Sequence, residues 1–237
     1  MKIFFITFGS HDNYKNAAVR LAKQAQSFNL FTNITAYTGD YLKQDMFFWN
    51  QHGEFINTHT RGFGYWLWKP YLIQQTMNKL EDGDILLYLD CGCELDIREK
   101  EYLYYYIQAV KKDKIIGCDT YCMEQMWNKQ DLMDTLTINE NKYLLSSQRE
   151  AGALLILVCE ETRELVNQWY ELGCTYHNID DSPSISSNFI GFKEHRHDQS
   201  IFSLLVKKYN LVSSINLKDH CIKYIRNRTG YSQLCGS

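Results

Sequence analysis

The sequence predicts an α/β fold with an open, mostly parallel sheet flanked by helices, and three observations predict it. The chain opens with a strand, a helix and a second strand at close spacing, the pattern of a parallel unit. Ile85 to Leu89, Lys114 to Gly117 and Ala153 to Val158 are short, nearly continuous apolar runs, as strands buried on both faces read. Stretches of helical period separate them. In a sheet of this kind ligands bind beyond the carboxyl ends of the strands, so the residues after Thr7, Leu89 and Gly117 are the first places to look.

In order, Lys2 to Thr7 is β-branched and aromatic and stops at Gly9, a strand followed by a loop. Residues 17, 18, 21, 22, 25 and 28 are apolar, which is one helix face. Asn33 to Tyr37 reads as the next strand. Tyr41 to Trp68 is aromatic and irregular and receives no assignment. Pro70 opens a helix to about Leu80, because proline is tolerated in a first turn. Glu160 to Leu172 is a helix with Leu165, Val166, Trp169 and Leu172 on its buried face. Gln199 to Tyr209 is another, and Leu211 to Ile215 reads as a closing strand.

Only Pro70 and Pro183 interrupt the 237 residues, and no linker or repeat divides them, so a single domain over 1–237 is expected. The formal charge of -3 without a basic run argues against a general nucleic-acid binder. No apolar run approaches the ~20 residues of a membrane span. Met1 to Phe8 reads as a strand rather than a signal peptide, so a soluble, cytoplasmic protein is expected. The eight cysteines then read as reduced thiols, Cys235 included. The sequons Asn33-Ile34-Thr35 and Asn227-Arg228-Thr229 are idle in that compartment.

Four constellations carry chemistry. Asp90-Cys91-Gly92-Cys93 follows a buried strand directly. Asp90 there holds a divalent ion or caps the next turn, and Gly92 permits close backbone approach. Arg61 to Pro70 (RGFGYWLWKP) places two cations and free N–H groups before a helix, a place for a phosphate; its aromatics equally read as packing. Glu194 to Ser200 (EHRHDQS) is a polar cluster at a helix start, either catalytic or a cap. Cys91, Cys93, Cys118 and Cys122 have spacing poor for a zinc site.

Taken together, GFGYWLWKP (62–70), GDILLYLDCGC (83–93), WNKQD (127–131), residues 148–152 and FKEHRHDQSIFSLL (192–205) resemble a family of small GT-A glycosyltransferases of bacterial polysaccharide clusters and large DNA viruses. The resemblance covers most of the chain. It implies hexosyl transfer from a UDP- or GDP-sugar to a glycan acceptor in polysaccharide biosynthesis. GT-A enzymes carry Asp-x-Asp where this sequence has Asp90-Cys91-Gly92, so the second carboxylate is a glycine. By the resemblance a Mn²⁺ or Mg²⁺ ion would be held by Asp90 with a distant partner such as His220, where glycogenin-like enzymes carry a metal histidine; alternatively Arg61 and Lys69 neutralise the diphosphate without metal.

His197-Asp198-Gln199-Ser200 is similar to a segment of the blood-group and glycogenin-like retaining transferases. The resemblance gives Asp198 the donor sugar and Gln199 the anomeric carbon, with a lean to retention; in an inverting enzyme Asp198 would be the base. It sets Thr7, Phe8, Gly9 and Tyr37 against the nucleoside, with His197 among the donor contacts. It sets Trp127, Lys129 and Gln148 on the sugar and acceptor side; Asp180-Asp181 reads either as part of an acceptor loop or as a solvated acidic loop. The alternative from another class is a non-catalytic nucleotide- or glycan-binding protein that lost the second carboxylate.

Overall fold

The structure, a computed structural model, describes residues 1–218 and 220–234; Cys235 lies outside them. The elements are β1 (Ile3–Gly9), α1 (Asp12–Ser27), β2 (Asn33–Thr38), α2 (Gly39–Gln44), α3 (Met46–Thr58), α4 (Gly62–Tyr65), α5 (Trp68–Met77), β3 (Ile85–Leu89), β4 (Glu94–Leu95), α6 (Lys100–Asp113), β5 (Ile115–Met123), α7 (Glu124–Trp127), α8 (Gln130–Leu136), α9 (Asn141–Leu144), β6 (Ser147–Leu157), α10 (Glu160–Cys174), α11 (His197–Lys208) and β7 (Ile222–Lys223).

Five strands form one sheet in the order β2-β1-β3-β6-β5. β1 pairs in parallel with β2 and β3, while β6 runs antiparallel to both β3 and β5. Four strands therefore share a direction and the sheet is mostly parallel, as expected. Because β6 is reversed, its first half lies at the edge where β1 and β3 end. That reversal sets Gly152 beside Asp90, whose N–H donates to the Gly152 carbonyl at 2.8 Å.

Alternate side chains on each strand enter two separate cores, the period-2 rule at work. Ile6, Phe8, Leu86, Tyr88, Leu154 and Ile156 pack with α5, α10 and α11. Ile3, Phe5, Ile85, Leu87, Leu89 and Leu155 pack with α1 and α6 on the other face. Burial on both faces is why these strands read as unbroken apolar runs.

The unassigned stretch holds two helices and a turn. α2 is capped by Thr38, and α3 by Asp45, whose carboxylate accepts from Phe48 N–H at 3.2 Å. Asp45 also accepts from Tyr71 Oη at 2.6 Å, so the cap and the core are joined. α6 too was not anticipated, although Leu103, Tyr106, Ile107 and Val110 give it a buried stripe of helical period. The expected strand over Leu211 to Ile215 is absent. There the chain leaves α11 through a Leu211 N–H bond to Val206 O and meets the sheet at the isolated Gly117–Asn216 bridge just beyond.

Candidate active site

A cavity of about 890 Å³ opens at the edge where β1 and β3 end, large on the ~300–1,000 Å³ scale of small-ligand sites. Its floor is an ionic triad. Lys69 Nζ lies 3.0 Å from Asp198 Oδ2 and 3.5 Å from Asp90 Oδ1. Lys69 and Asp198 are buried, and the Asp90 side chain retains 30% of its exposure. Tyr88 Oη donates to Asp90 Oδ1 at 2.5 Å. Three distant stretches of sequence thus converge, because β3 delivers Asp90, α5 delivers Lys69 and α11 delivers Asp198.

Burial raises the Asp198 carboxyl to about 6, with Lys69 pulling it down and Asp90 pushing it up. Burial works against the Lys69 charge as well, but the two carboxylates outweigh it and hold the ammonium protonated above its ordinary range. Tyr88 is pushed well up by burial and by Asp90, so it stays a hydroxyl donor.

Gly152 makes this floor possible. A Cβ there would meet Tyr224 Oη at 1.9 Å and Asp90 Oδ2 at 2.8 Å. Gln199 sits above it, donating to Gln148 Oε1 at 2.8 Å and accepting weakly from Ala151 N–H at 3.4 Å. Its amide therefore has a fixed orientation beside Asp198.

One wall is the Gly62–Trp66 turn, in which every residue has positive φ (59, 56, 82, 50 and 62°). Three of the five are not glycine, a strained left-handed turn of the kind that collects at functional sites. Gly62 and Gly64 are required where they stand. A Cβ on the first would reach the Trp66 ring at 2.5 Å, and on the second Ile56 Cγ1 at 2.6 Å. Phe8 stacks on Trp68 at 3.9 Å beside it.

The two histidines are fasteners for the neighbouring loop. His195 Nδ1 accepts from Lys129 N–H at 3.2 Å, so Nε2 carries the hydrogen and donates to Asn178 O at 2.7 Å. Burial drops this imidazole to about 3, so it is neutral. His197, at φ 54°, donates from Nδ1 to Ile179 O at 2.6 Å and stacks on Tyr65.

The sequence-predicted residues divide accordingly. Phe8, Arg61, Lys69, Asp90, Gly92, His197, Asp198 and Gln199 all line the cavity. Thr7 and Tyr37 do not: both are buried, and Tyr37 Oη bonds Thr76. Gly9 is taken up by α1, since a Cβ there would strike Tyr14 O at 2.2 Å. Gln148 forms a layer behind Gln199. Trp127 lies under the Arg196 guanidinium at 3.8 Å. Lys129 is a buried clasp that holds His177 O, Asp180 and Ser182. Asp180 and Asp181 are likewise tied down, to Lys129 and Arg61. Gly117 is followed by six further residues of β5, and it does not line the cavity.

The proposed metal pair is not brought together. His220 lies flat on Tyr102 of α6, 3.5 Å between centroids, away from the cavity. Among the described residues no group of three His, Cys, Asp or Glu is placed to hold an ion. The two carboxylates that do meet share a lysine ammonium. The donor set therefore does not fit a divalent ion. Cys91, Cys118 and Cys221 are each pushed up to about 12 by burial, so those thiols stay protonated.

Sequence reasoning missed Tyr224, Arg226 and Arg228, which also line the cavity. The signal available was three basic residues in a short polar C-terminal stretch, Lys223, Arg226 and Arg228, which composition alone cannot place.

No protein-family model and no curated protein matches the sequence. Solved structures do. A glycosyltransferase involved in glycosylation of the major capsid of PBCV-1 matches at 11% identity over 72% of this chain and 66% of its own, TM-score 0.40. Mouse xyloside xylosyltransferase 1 matches at 10% over 90% and 84%, TM-score 0.46. The galactosyltransferase LgtC, solved with donor and acceptor sugar analogues, matches at 14% over 83% and 68%, TM-score 0.45. This chain thus spans just under two thirds of the first. Likenesses of this extent assign no residue a role. No helix among the described residues is long and apolar enough to cross a membrane.

Proposed function

We propose that residues 1–237 form a GT-A glycosyltransferase domain that moves a hexose from a nucleotide-diphosphate sugar, UDP-linked in preference to GDP-linked, to a glycan acceptor. The observation that carries the reading is the convergence of Asp90 and Asp198–Gln199 on Lys69 at the floor of a large cavity beyond the strand ends. A sugar-binding floor needs fixed acceptors for hydroxyl groups, and the buried Asp198 and the part-exposed Asp90 supply them, with Lys69 offsetting one of the two charges. The Gln199 amide, fixed beside them, is a weak nucleophile. It suits a site where the leaving diphosphate takes the acceptor's proton and configuration is retained.

Released nucleotide, measured across UDP- and GDP-sugars with and without Mn²⁺, tests the proposal. At least one donor is expected to turn over, and silence across the whole panel sinks it. The second reading, a binding protein without catalysis, draws on the glycine at position 92. Asp198→Ala separates the two. A transferase loses on the order of 10² or more in turnover while keeping its nucleotide affinity, whereas a binder has no turnover to lose.

A further inference from the structure

The chain is net negative, yet its cavity is lined by five cations, Arg61, Lys69, Arg196, Arg226 and Arg228, against three carboxylates, Asp90, Glu194 and Asp198. The carboxylates are already engaged. Lys69 spans Asp90 and Asp198, and Glu194 lies 3.8 Å from Arg61 and 4.0 Å from Arg196. Arg226 and Arg228 differ. They are exposed to the cavity, and among the described residues neither forms an ion pair with a carboxylate; Arg228 rests over the Tyr14 ring at 5.5 Å.

The segment bearing them is built in. Asn227, between the two arginines, is buried and donates to Glu94 Oε1 at 2.6 Å, and its own N–H reaches Gly92 O at 2.8 Å. Glu94 also accepts from Gln233 N–H at 2.8 Å and from Ser232 Oγ. The buried Arg20 guanidinium donates to the Cys91 and Cys93 carbonyls at 2.7 Å and to Asn227 O at 3.3 Å. One polar core thus locks the Asp90–Glu94 turn to the 226–233 strap. Gly92 is the contact point, since a Cβ there would stand 3.2 Å from Arg226 Cα. The strap fills the space where a second acidic side chain at position 92 would project.

Resting on the transferase reading, we propose that Arg226 and Arg228 bind the diphosphate of the donor, and that they do so without a divalent ion. Two unpaired guanidiniums on a fixed strap present forked donors to phosphate oxygens. Arg226 lies against Gly92, two residues from Asp90, and both arginines share the cavity with Asp90, Asp198 and Gln199, so a diphosphate held there carries its sugar toward that floor.

The test is calorimetric titration of the full chain with UDP, GDP and inorganic pyrophosphate, first in EDTA and then with Mn²⁺. In EDTA the better nucleotide is expected to bind within about threefold of its affinity with Mn²⁺. The double variant Arg226→Gln/Arg228→Gln is expected to lose about 10- to 100-fold in affinity for the nucleotide and for pyrophosphate. Arg226→Lys/Arg228→Lys, which keeps the charge, should recover part of that loss. Both side chains are exposed, so the thermal midpoint should not move. Binding that requires Mn²⁺, or a glutamine variant that binds as tightly as the parent, overturns this inference and leaves the transferase reading standing. Failure of both nucleotides to bind in either condition removes the donor reading itself, and this inference with it.

Discussion

Two of the cation–carboxylate pairs in and beside the cavity sit in opposite physical regimes. On the floor, Lys69 and Asp198 keep only 4% and 5% of their side-chain exposure; at the rim, Arg61 and Asp181 keep 49% and 45%. The distances are the same, 3.0 Å in each. Water makes the difference. The floor pair has given up its hydration and depends on its partners, whereas the rim pair is screened and gains little. A list of salt bridges would rank them equally; burial predicts that only one of them is indispensable to the site.

The comparison breaks most visibly at Lys69. Lys69→Met keeps most of the volume but leaves Asp90 and Asp198 facing each other without a cation. Removing one partner of a buried pair costs about 3–5 kcal/mol, to be read from urea unfolding at pH 7.5. Because Asp198 can shed its charge by binding a proton, that loss should shrink at pH 5. A loss below about 1 kcal/mol at pH 7.5 would mean that the floor behaves like the rim.

Asp198 sharpens the same contrast through pH. Its folded carboxyl titrates near 6 against an ordinary value of 3.8, so between those values the folded state binds more protons than the unfolded one. Stability from this group is therefore fully present below about pH 4 and falls as pH rises through 6, by about 3 kcal/mol in all. Asp198→Asn removes the titration. The stability of the parent minus that of the variant should fall by that order between pH 4 and pH 7. A flat difference would show that Lys69 fully compensates the burial.

Gly152 tests whether the floor tolerates any displacement. Gly152→Ala drives a methyl into Tyr224 Oη and Asp90, and overpacking of this kind costs about 1–3 kcal/mol. On the proposed transferase reading, turnover should fall further than stability does, because the carboxylate that moves lies on the cavity floor. Equal activity in the alanine variant would detach Asp90 from the chemistry.

How much of this was legible beforehand follows the same line between local and non-local causes. The strand Ile85–Leu89 and the second half of Ser147–Leu157, expected over Ala153–Val158, announce themselves because two-sided burial leaves no polar alternation, whereas the polar first half, Ser147 to Glu150, gave no strand signal. Asp90 was legible as a strand-end carboxylate, and the polar cluster ahead of α11 drew attention by composition. What each histidine does was not legible, since His195 and His197 bond to carbonyls of residues 178 and 179 that only the fold brings near. α3 was hidden by aromatic content on several faces, although its Asp45 cap was in plain view. The strand expected at Leu211–Ile215 failed because an apolar run lacks register until a partner strand is free to receive it. Lys69 could be suspected, but its role as the common partner of Asp90 and Asp198 belongs to tertiary structure alone.

The smallest expected effect is at the rim. Arg61→Ala removes the contacts to Asp181 at 3.0 and 3.2 Å and the longer one to Glu194. Exposed pairs contribute about 0–1 kcal/mol and are screened by salt, so the unfolding midpoint should barely move and any change should fade in high salt. Asp181 also faces His197 at 3.8 Å, which keeps the loop tethered once Arg61 is gone. A loss above about 2 kcal/mol would place the Arg61–Asp181 contact among the supports of the left-handed turn, and exposure would then no longer be the property that separates the two pairs.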